Sequence, residues 1–339
     1  MPLISKDLKK LISLLFFLIL LGCSSNEKKQ YTLSGFALGT PFKIIYFSNS
    51  ENHSVEKSMD SIFNEINQSM STYIPSSDIS KINDGNTSII VDDHFVKVFK
   101  KSKEIWKISD GFFDPTAGII TKVNGLGPKD NTTFNKDIDS LVSLTGFNKV
   151  QIQNRRIIKE NKNIFLDFNA IAKGYCVDVI AEFFNNKKVN NFLIEIGGEM
   201  VAKGKNLTSN GPWKVGISNP LNPDSKSYFK KILLIDRAMA SSGNYRKYKI
   251  DEKSGNKIVH TVNPKNGESV ETNVVGVTVL ADDCMSADAY ATAFMVMPLE
   301  KSIEIISENK EIDALIIHFD ENNKLQSFSS IGSDLISSD

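Results

Sequence analysis

The sequence is poor in the residues that most often mark a function. Of 339 residues only three are cysteine, four histidine and two tryptophan. The cysteines stand at 23, 176 and 284, and no Cys/His spacing of the zinc type occurs. Charge of one sign is not in excess: 40 Lys and Arg meet 40 Asp and Glu, which gives no reason to expect nucleic acid. No Walker loop is present. Gly125-Leu126-Gly127 lacks a third glycine and follows no clean strand, so it is not a dinucleotide fingerprint. No internal repeat and no low-complexity tract stands out. What remains is 41% hydrophobic and 24% charged, a globular composition with ample length for a core.

The N-terminus stands apart. Lys6, Lys9 and Lys10 form a basic start, and Leu11 to Leu21 is an apolar run too short to span a bilayer comfortably. It ends in Leu20-Leu21-Gly22-Cys23-Ser24-Ser25. This resembles a bacterial lipoprotein signal, cleaved ahead of a cysteine that is then lipidated; the alternative is an ordinary secretory signal with Cys23 incidental, and the polar tether that follows favours the first. Residues 1–22 are expected to be signal, 23–30 a polar tether lipidated at Cys23, and 31–339 a single domain. Several acyl chains on one cysteine anchor stably where one chain does not. The expected location is therefore outside the cytoplasm, on the periplasmic side of a bacterial inner membrane. Outside the cytoplasm Cys176 and Cys284 could form one disulfide, but each sits in an apolar helical or strand-end context, which favours two separate buried thiols.

Periodicity supplies the elements. Tyr31 to Phe47 reads as two strands around Leu38-Gly39-Thr40-Pro41. Val55, Met59, Ile62, Phe63, Ile66 and Met70 mark a helix that Tyr73–Asp78 breaks; Phe95, Phe99, Ser102, Ile105 and Trp106 mark a second, ending at Asp110-Gly111. A loop is expected over 124–134 and a short helix closing at Gly146. Strands are predicted at 149–153, 164–168, 192–196, 213–218, 232–235, 274–280, 314–319 and 325–329, with helices near 287–297 and 300–309. The order is not regular βαβ, so the fold class is α+β, with mixed or antiparallel sheets and packed helices.

The centre of the chain is Asp167-Phe168-Asn169-Ala170-Ile171-Ala172-Lys173-Gly174, read as a strand-to-helix turn. Such a turn turns backbone N–H groups and the positive helix end toward an anion; equally, Asp167 or Asn169 caps the helix and Lys173 faces solvent. Four further clusters carry polar groups. Ala238 to Tyr245 places small hydroxyl residues after a strand, to line a substrate site or make a plain turn. His260 heads a turn ending in Asn263-Pro264 and Gly267; a lone histidine is more often structural. Asp288 and Thr292 share a helix face, which suits a hard cation such as Mg²⁺, although Ser286 as cap and Asp288 at the helix start is the plainer account. Phe192 to Glu199 is a buried strand that ends in two glycines.

Together these clusters resemble the ApbE-type FAD:protein FMN transferases. The matching pieces run in order from Leu38-Gly39-Thr40 through Ser71-Thr72-Tyr73, Gly111–Thr116, Asp167–Asp178, Phe192–Glu199, Ser241–Tyr245 and His260–Gly267 to Ala287-Asp288…Thr292. The resemblance implies that Leu38, Tyr73, Phe112, Phe113, Asp114, Asp167, Lys173 and Val262 contact FAD. It implies that the Ala170 carbonyl, Asp288 and Thr292 hold Mg²⁺. Ala291 stands where some members carry another acidic residue, and Leu38 where methionine is commoner. The implied fold is α+β, in agreement with the periodicity.

The implied reaction moves FMN from FAD to a Thr or Ser hydroxyl of a partner protein and releases AMP. Acceptors would be flavoprotein subunits of membrane redox complexes or secreted flavoproteins. His260 is the candidate general base, since an imidazole with an ordinary pKa near ~6.5 suits proton abstraction at neutral pH. Two rival readings are an FAD pyrophosphatase that uses water, and a lipoprotein that only carries flavin. Binding alone needs neither the Asp288/Thr292 pair nor His260.

Overall fold

A computed structural model describes residues 28–49, 54–125, 127, 137–222, 227–244, 248–250, 257–259, 261–268 and 272–337. Cys23, Tyr245, His260 and most of the expected loop at 124–134 lie outside the described residues.

In chain order the strands are β1 (Lys29–Ala37), β2 (Thr40–Ser48), β3 (Val150–Gln153), β4 (Arg156–Lys159), β5 (Phe192–Ile196), β6 (Glu199–Lys203), β7 (Trp213–Ser218), β8 (Tyr228–Leu234), β9 (Ala238–Gly243), β10 (Tyr248–Ile250), β11 (Lys257–Val259), β12 (Val274–Ala281), β13 (Asp313–Phe319) and β14 (Leu325–Ser329). The helices are α1 (Ser54–Met70), α2 (Asp78–Asn83), α3 (Asp93–Ile108), α4 (Gly118–Val123), α5 (Ile138–Ser143), α6 (Ala172–Asn186), α7 (Cys284–Val296) and α8 (Leu299–Glu308). Eight strands form one sheet in the order β1-β2-β5-β6-β9-β12-β13-β14, and every pairing in it is antiparallel. Hairpins β3–β4, β7–β8 and β10–β11 stand outside it. The expected α+β class, antiparallel sheets with packed helices, is what forms.

Both faces of the sheet are covered, and strand alternation sends side chains to two cores. Ile44, Ile194, Val277, Val279 and Ile316 face the helical layer, while Phe47, Leu280, Leu315 and Ile317 face β7–β8 with Trp213 and Ile232. That is why β12 is buried at seven of its eight positions. Helix α7 is buried at eleven of its thirteen positions and has no solvent-facing polar stripe, as befits a helix enclosed by protein. Its Ala287, Ala289, Ala291 and Ala293 are fully buried and let neighbouring backbones come close.

Three expectations need correction. Residues 164–168 are not a strand, although Ile164, Leu166 and Phe168 are buried. The Asn83 side chain takes the place of a strand neighbour: it accepts from Leu166 N and donates to Leu166 O, both at 2.8 Å. Lys159 Nζ donates to Ile164 O at 2.9 Å, so the backbone is satisfied without a ladder. Ala238 to Gly243 is not a plain turn but strand β9 of the large sheet; its Ser241 hydroxyl meets Thr278 of β12 across the ladder at 2.9 Å. Finally, β1 starts at Lys29, paired with Ser48, so the last two residues of the expected tether belong to the sheet.

Candidate active site

Helices α6 and α7 cross at Gly174. A side chain there would strike the Cys284 carbonyl oxygen and come within 2.8 Å of the Asp288 Cβ, so only glycine permits the approach. The closeness lets each helix cap the other. Asp178, on α6, accepts from the Cys284 and Met285 N–H groups at 2.8 Å each, at the start of α7. Asp288, on α7, accepts from Gly174 N at 3.0 Å, in the first turn of α6. The anion at the α6 N-terminus is thus a carboxylate of the chain itself. Neither Asp167 nor Asn169 caps α6; Ile171 occupies the cap position and offers no side-chain oxygen. Ser286 does not cap α7 either, since Asp283 accepts from its N–H.

Lys173, in the first turn of α6, turns its ammonium into this crossing. Its Nζ lies 2.7 Å from Glu199 Oε1 and 3.6 Å from Asp288 Oδ1. Both carboxylates are buried, and Glu199 Oε2 has no hydrogen-bond partner among the described residues. Burial opposes the charge on Lys173, but Asp288 and Glu199 outweigh it and hold the ammonium above its usual pKa. Burial pushes Glu199 up to about 7 against the pull of Lys173, and pushes Asp178 up to about 7 despite its two N–H donors.

The other expected site residues gather on turns tied to this crossing. Leu38 sits at the tip of the β1–β2 hairpin with φ 50°, followed by Gly39 at φ 75°, a left-handed pair that a leucine adopts only under constraint. The hairpin is tied to the turn before Glu199 by Gly197 N donating to Pro41 O at 3.0 Å. Asp167 N donates to Pro115 O at 2.8 Å, joining the Asp167 turn to the Gly111–Thr116 turn, and Asn169 reaches the Thr72 hydroxyl at 3.4 Å. Burial raises the Asp167 carboxyl, and burial together with the Asp167 charge raises the phenol of exposed Tyr73. Val262 is buried against Phe165, Ile119 and Ile120.

Phe112 and Phe113 diverge. Phe113 is buried in the core, whereas Phe112 lies under two ammonium groups, Lys265 at 4.5 Å and Lys301 at 5.4 Å from its ring centre. Both lysines hydrogen-bond Asp110, which holds that carboxyl down to about 2. Asp114 accepts from Trp106 Nε1, Phe147 N, and the Thr116 N–H and hydroxyl. Those four bonds fill its acceptor capacity and make it the clamp of its turn. Ala170 lies in the turn ahead of α6, and Thr292 follows Asp288 by one turn of α7, half-buried.

Reading the sequence for ligands passed over Glu199 and Asp178. The available signal for Glu199 was an acidic residue at the start of an otherwise apolar strand, directly after two glycines. Among the described residues no group of three or more His, Cys, Asp or Glu is placed to hold a metal. The donor set at the crossing does fit Mg²⁺, which takes few protein ligands, all oxygen. Lys173 lies 3.6 Å from Asp288 Oδ1, beyond hydrogen-bond range, which leaves that oxygen open to a cation.

Comparison with known proteins follows the same line. The ApbE family profile matches residues 38–316. A FAD:protein FMN transferase of Vibrio cholerae is 30% identical over 322 residues, covering 93% of this chain and 95% of that protein. One of Haemophilus influenzae is 29% identical over 330 residues, covering 92% and 94%. Among solved structures, the flavin transferase ApbE from Vibrio cholerae aligns with a TM-score of 0.79 at 29% identity, over 89% of this chain and 97% of that one. The apo flavinyl transferase ApbE of Pseudomonas stutzeri gives 0.77 at 26%, over 89% and 95%. With the profile spanning most of its length, the chain belongs to the ApbE family.

Proposed function

We propose that this enzyme transfers the FMN moiety of FAD to a hydroxyl of a partner protein and releases AMP. The observation that carries the reading is the buried Lys173–Glu199–Asp288 group on the α6–α7 crossing, in a chain whose relatives over nearly full length are named FAD:protein FMN transferases.

The chemistry balances as a substitution at phosphorus. The acceptor Thr or Ser oxygen forms a bond to the FMN phosphorus, the P–O bond to AMP breaks, and the hydroxyl proton passes to a base. His260 is assigned that proton. Lys173, kept charged by two carboxylates, sets a fixed positive charge against the pyrophosphate, where charge neutralisation and positioning do most of the work. The Ala170 carbonyl, Asp288 and Thr292 would hold Mg²⁺, and the ion when bound adds positive charge to the phosphates. Leu38, Tyr73, Phe112, Phe113, Asp167 and Val262 shape the flavin site, with Asp114 acting through the turn it clamps.

The acceptors proposed are flavoprotein subunits of membrane redox complexes or secreted flavoproteins. The chain itself is proposed to sit outside the cytoplasm on a lipid anchor at Cys23. Cys23→Ala should release it from the membrane fraction; an unchanged membrane fraction with normal processing contradicts the anchor. The transfer is tested by incubating the full-length protein with FAD, Mg²⁺ and a co-occurring exported protein. Flavin fluorescence on the acceptor that survives denaturation supports transfer. Free FMN with no labelled protein supports the pyrophosphatase instead.

A further inference from the structure

The charges at the α6–α7 crossing are divided unequally. Lys173 lies 2.7 Å from Glu199 Oε1 but 3.6 Å from Asp288 Oδ1. The first is a charge-assisted hydrogen bond; the second is beyond hydrogen-bond range. The two carboxylates arrive from opposite layers, Glu199 from strand β6 and Asp288 from helix α7. Glu199 Oε2 is buried without a hydrogen-bond partner among the described residues, so Lys173 is the side chain that holds this carboxylate. Asp288 commits Oδ2 to Gly174 N, and Oδ1 keeps an ammonium at arm's length. The lysine is thus held to the sheet, and the unmatched negative charge is left on the helix that also carries Thr292.

We propose that Glu199 is a positioning residue that withholds Lys173 from Asp288 and thereby sets the affinity of Asp288 for a divalent cation. The inference rests on the reading that Asp288, Thr292 and the Ala170 carbonyl hold Mg²⁺. Without the Glu199 charge, Lys173 has one carboxylate left within reach. Its flexible stem lets it close on Asp288. The pair so formed is neutral and competes with the cation for the same oxygen. Loss of a residue that orients a metal ligand typically costs about 10- to 100-fold in metal affinity, and that is the size expected here. If Glu199 instead ligates the ion directly, removing Lys173 does not repair its loss, and this separates the two roles.

The test is metal binding by the full-length protein without FAD. Mn²⁺ is the probe, with free ion counted by electron paramagnetic resonance and Mg²⁺ added as competitor. Glu199→Gln should raise the Mn²⁺ dissociation constant about 10- to 100-fold. Lys173→Met should leave it unchanged or lower it. The double variant should return close to the Lys173→Met value, which makes the coupling visible. Should Glu199→Gln fold poorly by its denaturation midpoint, Glu199→Asp serves in its place: a retained charge on a shorter stem should weaken binding by less than the neutral variant. Native-like affinity in Glu199→Gln overturns the positioning role, and so does a double variant as weak as Glu199→Gln alone. Asp288→Asn is the control. If it binds Mn²⁺ as the native protein does, the metal reading itself fails, and the role of Glu199 falls with it.

Discussion

Asp178 and Asp288 exchange the same service across one helix crossing: each belongs to one helix and accepts N–H groups from the first turn of the other. The site is therefore built into the joint between α6 and α7, and damage to the joint should appear as lost stability as well as lost activity. Asp178→Ala strips two N–H donors at the start of α7 of their acceptor. It should cost about 1–3 kcal/mol in urea denaturation. Asp178→Asn, which keeps an oxygen acceptor, should lose clearly less. Equal losses would show that the cap geometry does not matter.

Gly174→Ala separates packing from propensity. In an exposed helix alanine is favoured over glycine by about 1 kcal/mol. Here the added carbon meets the Cys284 carbonyl and the Asp288 Cβ, so overpacking should win, for a net loss of about 1–3 kcal/mol. FMN transfer should fall in parallel, since Asp288 is displaced. A stabilised, active variant would mean that the helices do not approach this closely.

Two substitutions distinguish chemistry from binding. His260→Ala should slow transfer roughly 10²- to 10⁴-fold, the usual contribution of a positioned acid–base group, with FAD affinity little changed. Asp288→Asn keeps the shape and the acceptor for Gly174 N, so its fold should survive while transfer falls by roughly 100-fold or more. Single-turnover rates beside FAD titrations give both quantities. A parallel collapse of FAD binding in either variant would move that residue from the reaction to the pocket.

Stability should fall as pH rises from about 4 to 7 in the metal-free protein. Burial pushes Asp178 and Glu199 up to about 7, whereas an unfolded chain releases such protons near pH ~4. Between these values the folded state binds more protons than the unfolded one, so the slope of stability against pH is negative there and flattens above pH 7. Asp110, held down to about 2, works in the opposite sense, but only below pH ~4, and its exposed ion pairs are weak. The urea midpoint should be higher at pH 5 than at pH 7.5, and a double Asp178→Asn, Glu199→Gln variant should narrow the gap. A midpoint that rises over this interval contradicts the assignment.

Much of this fold was legible because burial leaves a period. The stripes of α1 and α3 and the runs of β2, β5, β12 and β13 report which faces are covered. Residues 164–168 misled because a buried apolar run looks the same whether a strand or the amide of Asn83 satisfies its backbone. Strand β9 misled because Ala238, Ala240 and Ser241 carry little hydrophobic signal; the two alanines are on the face that packs against α7, and Ser241 on the other face meets Thr278. At the site, Asp288 with Thr292 and the Lys173 turn were visible through spacing and resemblance. Glu199 was not, since its role depends on a lysine 26 positions away that only the α6–β6 packing brings to 2.7 Å.

Whether the transferred FMN ends on protein or in solution decides between a transferase and a pyrophosphatase. The most direct measurement compares AMP released with flavin bound covalently, using the full-length protein, FAD, Mg²⁺ and one acceptor in two forms. With the native acceptor, AMP and labelled protein should appear in equal amounts, and the acceptor should gain the mass of FMN less water. With the target Thr changed to Val, which removes the hydroxyl at nearly constant shape, labelling should vanish and AMP release should drop to the slow background of hydrolysis. If AMP and free FMN form at the same rate with either acceptor, and no protein carries flavin, the enzyme is a pyrophosphatase and the transfer account is wrong.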